Sequence, residues 1–156
     1  MIYLGADHGG YHLKEKVKQW LTEWGEKYED YGNREYDEND DYPKYAFEVA
    51  KKVAENDQDG AKGILLCRSA VGMVIAANKI KGARGAAVYD EQMARLSREH
   101  NNANIIGLSG DRLNEEEAKQ IIRVFLETKF SEEERHRRRV VQIKDYEEKR
   151  ERPRSY

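Results

Sequence analysis

The 156-residue chain holds a single cysteine, Cys67, at the end of the apolar run Gly63 to Cys67 (GILLC), where a strand gives way to a helix. Two readings of it are open. A lone cysteine in that setting serves as a small buried hydrophobe. Alternatively, the start of the next helix favours its thiolate, and the backbone N–H groups from Ser69 to Gly72 suit an oxyanion or a phosphate. A base beside such a cradle is what proton abstraction next to a carbonyl requires. Asp7 and His8, in Gly5-Ala-Asp-His-Gly-Gly10, form a second group. They read either as a helix cap with a surface imidazole or as a ligand-binding turn, since Gly9 and Gly10 let a ligand approach the backbone. The G-x-G-x-x-G dinucleotide fingerprint is absent. A third group is Arg135, Arg137, Arg138 and Arg139. Arg135 and Arg139 are four apart and share a helical face, giving two guanidinium forks for one phosphate. The plainer alternative is a solvated run that pairs with Glu132 to Glu134.

The elements that must position these groups follow from periodicity. Short apolar runs alternate with helix-period stretches, the pattern of a parallel sheet with crossover helices. Strands are expected at Met1 to Gly5, Lys27 to Tyr31, Gly63 to Cys67, Arg84 to Tyr89 and Asn104 to Leu108. Between them, helices place Leu13, Val17, Trp20, Leu21 and Trp24 on one face, then Ala46, Val49, Ala50 and Val53 after Pro43 in a first turn. Further helices open near Ser69 to Gly72, span Glu91 to His100, and span Asn114 to Lys129; a polar loop runs from Gly32 to Asp41. Phe130 to Tyr156 is dense in charge, with Val140, Val141 and Ile143 its only aliphatic residues. It is too polar for a core layer, and either stays disordered or packs on another surface as a helix.

Ligands of parallel α/β sheets collect beyond the carboxyl ends of the strands. That test selects Asp7 and His8, Cys67 and Ser69, Asp90, and the group Ser109, Asp111 and Arg112. It does not select His100 and Asn101, at the end of a helix. Composition narrows the function classes. A net charge of -2 argues against a general nucleic-acid or acidic-membrane binder, and the arginine patch lacks interleaved aromatics. No apolar run approaches a membrane span, and no secretory signal opens the chain. One cysteine forms no internal disulfide and four histidines are too scattered for a zinc pattern. A soluble cytoplasmic protein without membrane or nucleic-acid partners is the expectation.

Taken together, Gly5-Ala-Asp-His-Gly-Gly10, Asp41-Tyr-Pro43, Gly63-Ile-Leu-Leu-Cys67, Ile75-Ala-Ala-Asn-Lys79 and Leu96-Ser-Arg-Glu-His-Asn101 resemble the ribose-5-phosphate isomerase B family, with its galactose-6-phosphate isomerase relatives. The resemblance runs from residue 1 to about Val140. It implies an α/β fold, a three-layer α/β/α Rossmann-like domain with a five-stranded parallel sheet over residues 1–130. A charged C-terminal helical extension, 131–156, would pack on a partner subunit. It further implies a homodimer or a tetramer with shared sites, and neither metal nor cofactor. The implied reaction is aldose–ketose isomerisation of a sugar phosphate, ribose 5-phosphate to ribulose 5-phosphate, through an enediolate. By position, Cys67 would be the base, Ser69 would hold substrate and polarise the enediolate, His100 would assist ring opening, and Asp7 would bond the sugar. Asn101 would face the substrate, and His8, Arg112, Arg135 and Arg139 would hold the phosphate. Where some relatives carry a glutamate base this chain has Met73.

The departure lies in the loop. The family reads Cys-Gly-Thr/Ser-Gly-x-Gly; here it is Cys67-Arg68-Ser69-Ala70-Val71-Gly72. Backbone donors up to Gly72 survive, but a positive φ at 68 or 70 would cost about 1–2 kcal/mol without glycine. Arg68 either points to solvent or pairs with an acid of the Glu35 to Asp41 loop; the functional alternative is that it lowers the thiol pKa or contacts a different phosphorylated substrate. The segment Leu108-Ser-Gly-Asp-Arg112 is one residue longer than usual. The altered loop leaves a second reading, a non-catalytic sugar-phosphate binder or an isomerase of a hexose phosphate.

Overall fold

The computed structural model describes residues 1–151; the end of the expected extension, residues 152–156, lies outside them. Five strands and six α-helices alternate: β1 Ile2–Ala6, α1 Tyr11–Glu23, β2 Tyr28–Asp30, α2 Tyr42–Glu55, β3 Lys62–Cys67, α3 Val71–Ala77, β4 Gly85–Ala87, α4 Glu91–Asn101, β5 Ile105–Ser109, α5 Glu115–Glu127 and α6 Glu134–Glu151. The strands lie in the order β2-β1-β3-β5-β4, and every pairing is parallel.

Side-chain alternation assigns the layers. Leu4, Ile64, Leu66, Ile106 and Leu108 face one side, where Val17 and Leu21 of α1, Ala94 of α4, and Ile121 and Phe125 of α5 cover them. Tyr3, Leu65, Cys67 and Ile105 face the other, under Val49 and Val53 of α2 and Met73 and Ala77 of α3. Both faces of the central strands are therefore apolar, which is why GILLC reads as an unbroken hydrophobic run.

Local chemistry sets the helix ends. Pro43 stands in the first turn of α2, Asp90 caps α4 by accepting from Met93 N at 2.7 Å, and Asn114 and Glu117 form a reciprocal capping box on α5. Element limits shift by one to three residues from the sequence reading. β1 runs on to Ala6 and β5 to Ser109, while β4 keeps only three residues of the expected Arg84 to Tyr89. Arg84 is drawn out of that strand: its N–H bonds Asn104 Oδ1 at 2.7 Å and its guanidinium meets Asp57 at 3.1 Å. α3 starts at Val71, within the expected Ser69 to Gly72 opening, and α5 stops at Glu127, where Thr128 is extended.

The chain leaves β1 toward β2 and leaves β3 toward β4, in opposite directions across the sheet. Between the carboxyl ends of β1 and β3 lies the topological switch point, where doubly wound sheets open a crevice.

Candidate active site

Asp7 and Cys67 flank that switch point. Register pairs Ala6 with Leu66, so the residues that follow emerge side by side, and Asp7 N bonds Leu66 O at 3.3 Å. Three backbone turns close over the spot with no room between them. A Cβ on Gly10 would lie 2.2 Å from Leu66 O, and one on Gly110 would lie 2.3 Å from Gly9 O. Glycine at both positions is thus a packing requirement. Gly110 N bonds Cys67 O at 2.9 Å, and Ser109 Oγ bonds Arg68 O, which joins the end of β5 to the Cys67 loop.

Cys67 is a free, buried thiol. Burial pushes its pKa up, and the nearby Asp7 charge adds to that; N–H groups of Ser69, Met73 and Ala70 act in the opposite sense without prevailing. The helix start therefore favours the thiolate as expected but does not set the balance. The dipoles are present, with Ala70 N–H directed at Sγ across 3.2 Å, yet desolvation outweighs them. Asp7 is buried too. Burial raises its pKa first of all, against the Gly10 N–H that its Oδ1 accepts at 3.1 Å.

The loop takes the strained form that loss of its glycine threatens. Ala70 sits at φ 70°, ψ -27°. Ser69 is exposed, its Oγ accepting from Val71 N at 3.4 Å and its carbonyl from Tyr89 OH at 3.0 Å. Arg112 stacks over that same Tyr89 ring at 5.4 Å and so stands beside the loop. Gly72 leaves space for the Tyr42 ring, which a Cβ there would meet at 2.8 Å. Arg68 turns outward, 67% exposed, and faces Asp111 at 3.9 Å. That orientation agrees with the solvent alternative: among the described residues Arg68 pairs with no acid of the Glu35 to Asp41 loop, and it is not among the main groups that shift the Cys67 thiol.

His8 is held by a residue that sequence reasoning missed. Asp40 Oδ1 accepts both the His8 backbone N–H at 3.0 Å and a bond with Nδ1 at 2.7 Å, while Asp40 Oδ2 takes Asn33 Nδ2 at 2.9 Å. The Asp40 side chain is fully buried. With Nδ1 so engaged, Nε2 is the ring nitrogen left for a ligand. A 490 Å³ cavity opens beside His8, with Gly9, His12, Leu13, Tyr36, Arg68, Gly110 and Asp111 in its wall. His12 stacks on Tyr36 there, 18° between planes. Three basic side chains and glycine backbone share this wall with the Asp111 carboxylate, and neither Asp7 nor Cys67 lines it. Asp7, His8 and Asp40 also bring ligand-type atoms within 4.8 Å of one another. Asp40 spends its Oδ1 on His8, so the trio reads as an oriented imidazole.

The remaining expected site residues stand elsewhere. Helices return antiparallel to the strands, so His100 and Asn101, both exposed at the end of α4, come to the amino-terminal edge of the sheet, just before β5. Arg135 and Arg139, exposed on α6, lie with them: Ser131 N bonds Glu99 O at 3.1 Å, and His136 contacts His100 at 4.2 Å between ring centroids. α6 then crosses that edge until Glu147 meets Gly82 N at 3.1 Å. One chain thus brings together Asp7, His8, Cys67, Arg68, Ser69, Gly72 and Arg112. It keeps His100, Asn101, Arg135 and Arg139 at the opposite end. Besides Asp40, the roles of Tyr89, Ser109 and His136 escaped the sequence; only Ser109 carried a signal, its position at a strand end.

Residues 2–143 match the family model described as Ribose/Galactose Isomerase. Ribose-5-phosphate isomerase B of Mycobacterium tuberculosis is 41% identical over 152 residues, which cover 97% of this chain and 93% of the relative. Among solved structures, ribose-5-phosphate isomerase B from Mycoplasma genitalium with bound ribulose-5-phosphate superposes with a TM-score of 0.90 at 40% identity, covering 94% of this chain and 95% of that one. The Clostridium thermocellum ribose-5-phosphate isomerase B superposes at 0.89 with 38% identity, over 96% and 98% of the two chains.

Proposed function

The chain belongs to the ribose/galactose isomerase family, and from that premise we propose that it is an aldose–ketose isomerase interconverting ribose 5-phosphate and ribulose 5-phosphate. The observation that carries this reading is the 40% identical, near full-length neighbour solved with ribulose-5-phosphate. The chemistry of the switch point agrees with it. The shift needs one base, donors for an oxyanion and an anchor for the phosphate; C1 is reduced as C2 is oxidised, so it asks for no external oxidant or reductant.

In the proposed mechanism the Cys67 thiolate takes the proton from C2 of the open-chain aldose. The C2–H electron pair forms the C1–C2 double bond, and the carbonyl electrons move onto O1, giving an enediolate. Ser69 and the loop N–H groups up to Gly72 meet the developing charge. The same thiol returns its proton to C1 while the O2 proton passes to O1, which leaves a C2 carbonyl and a C1 hydroxymethyl group. Asp7 bonds the sugar hydroxyls. His8, with its ring oriented by Asp40, anchors the phosphate together with Arg68 and Arg112.

His100, Asn101, Arg135 and Arg139 complete the site from a second copy of the chain, His100 assisting ring opening. Their place at the opposite edge of the sheet supports a homodimer with shared sites, because they have no route to Cys67 within one chain. In this reading residues 1–130 form the catalytic domain and 131–156 an arm that packs on the partner. Exposed Val141 and Ile143 on α6, with Val71 and Ile75 on α3, give such packing apolar surface. A cytoplasmic location accords with a single reduced thiol.

The deciding experiment is turnover of ribose 5-phosphate by the wild type beside Cys67→Ala and Cys67→Ser. The wild type is expected to interconvert the two pentose phosphates and both variants to lose turnover by about 1,000-fold or more. Wild-type turnover in Cys67→Ala would sink the base assignment. Thermal stabilisation by ribose 5-phosphate with no turnover in the wild type would point to the binder reading.

A further inference from the structure

His136 lies outside every motif considered so far, and the mechanism above gives it no task. It is nonetheless buried, 7% exposed on a helix whose Arg135, Arg137, Arg138 and Arg139 are all exposed. Its Nδ1 stands 2.9 Å from Ser131 Oγ. That hydroxyl also accepts Glu133 N–H at 3.3 Å, and Ser131 N–H bonds Glu99 O at 3.1 Å, so it is tied to the end of α4. The ring bears on His100 at 4.2 Å between centroids, with 33° between planes. His100 is otherwise an exposed side chain in the last turn of α4, and its ring makes no hydrogen bond among the described residues. A free imidazole at a helix end samples several rotamers, and general acid–base chemistry needs one.

From this contact we propose that His136 is a positioning residue: it holds the His100 imidazole in the rotamer that serves the sugar ring in the partner's site, and Ser131 fixes the His136 ring in turn. The inference rests on the ring-opening role proposed for His100. It extends the site by two residues that touch no substrate, and explains why one histidine is buried within a polar arm. It also couples the start of α6 to catalysis separately from the arginines, which act on the phosphate.

The test is a double-mutant cycle on the full-length protein, with ribose 5-phosphate carrying hydrogen or deuterium at C2. His136→Ala is expected to lower kcat about 10- to 100-fold with little change in KM, and to bring the C2 isotope effect toward unity as ring opening becomes limiting. His136→Phe keeps a ring against His100 and is expected to recover most of the loss. The His100→Ala/His136→Ala pair is expected to be no slower than His100→Ala alone. Should His136→Ala fold poorly, Ser131→Ala carries the test, since it removes the orienting bond and leaves the ring contact; a smaller loss of kcat with the same isotope signature is expected. Wild-type kcat in both His136→Ala and Ser131→Ala, beside a slow His100→Ala, overturns this inference alone. Multiplicative losses in the double variant also overturn it. Wild-type kcat in His100→Ala overturns the ring-opening role, and the inference with it.

Discussion

Cys67, the proposed base, sits where its surroundings disfavour the thiolate. Burial holds its pKa above the ordinary thiol value, and Asp7 works in the same direction. The thiolate fraction therefore grows as pH rises, and it keeps growing beyond the range in which an exposed cysteine has finished titrating. The expected result is a kcat/KM that climbs with pH through and past the ordinary thiol range, read from initial rates on ribose 5-phosphate. A plateau from about pH 7 would mean that another group sets the rate. Single residues were legible where chemistry and position coincide: Cys67 ends the most apolar run, and Asp7-His8 precede two glycines. Asp40 was not legible. Its partner His8 lies 32 positions away, and within an acidic loop nothing separates the buried carboxylate from Asp37, Glu38 and Asp41. Arg68 shows the converse. Its type suggested influence on the neighbouring thiol, but its side chain turns to Asp111.

At the scale of elements, the Cys67 loop carries a strain of its own making. Ala70 holds φ 70° in a place where the family has glycine, and it is fully buried. Replacing it by glycine relieves about 1–2 kcal/mol of backbone strain. The gain is offset by about 0.4–1 kcal/mol of unfolded-chain entropy and about 0.8 kcal/mol of lost methyl burial. Ala70→Gly is thus expected to leave stability within about 1 kcal/mol of wild type. Ala70→Val, branched at a positive φ against Gly107, is expected to cost about 3 kcal/mol or more. Urea midpoints at matched protein concentration check both. Elements themselves were largely readable, because both faces of the central strands are covered and every crossover helix has an apolar stripe. Their ends were not. β4 loses its first residue where the Arg84 side chain binds Asp57, and the tail's helical state was left open by its composition. Neither interaction leaves a trace in local periodicity.

The whole molecule carries its proposed site residues at two opposite ends of one sheet, Cys67 at the carboxyl edge and His100 with the α6 arginines at the amino edge. A shared site makes a stoichiometric prediction. Mixing Cys67→Ala and His100→Ala chains, each weak alone, creates heterodimers with one intact site and one doubly defective site. With random pairing, about a quarter of wild-type activity is expected to return. Additive background alone would rule out sharing. Strand order was the part of the whole that periodicity could not supply, since β5 lies between β3 and β4 through contacts that skip the sequence. The placement of residues at the two edges has one more consequence. Under the proposed sharing a lone chain owns no complete site, so catalysis becomes a matter of abundance: sparse chains would be idle, and each increment in their number would add more than its share of turnover until pairing saturates.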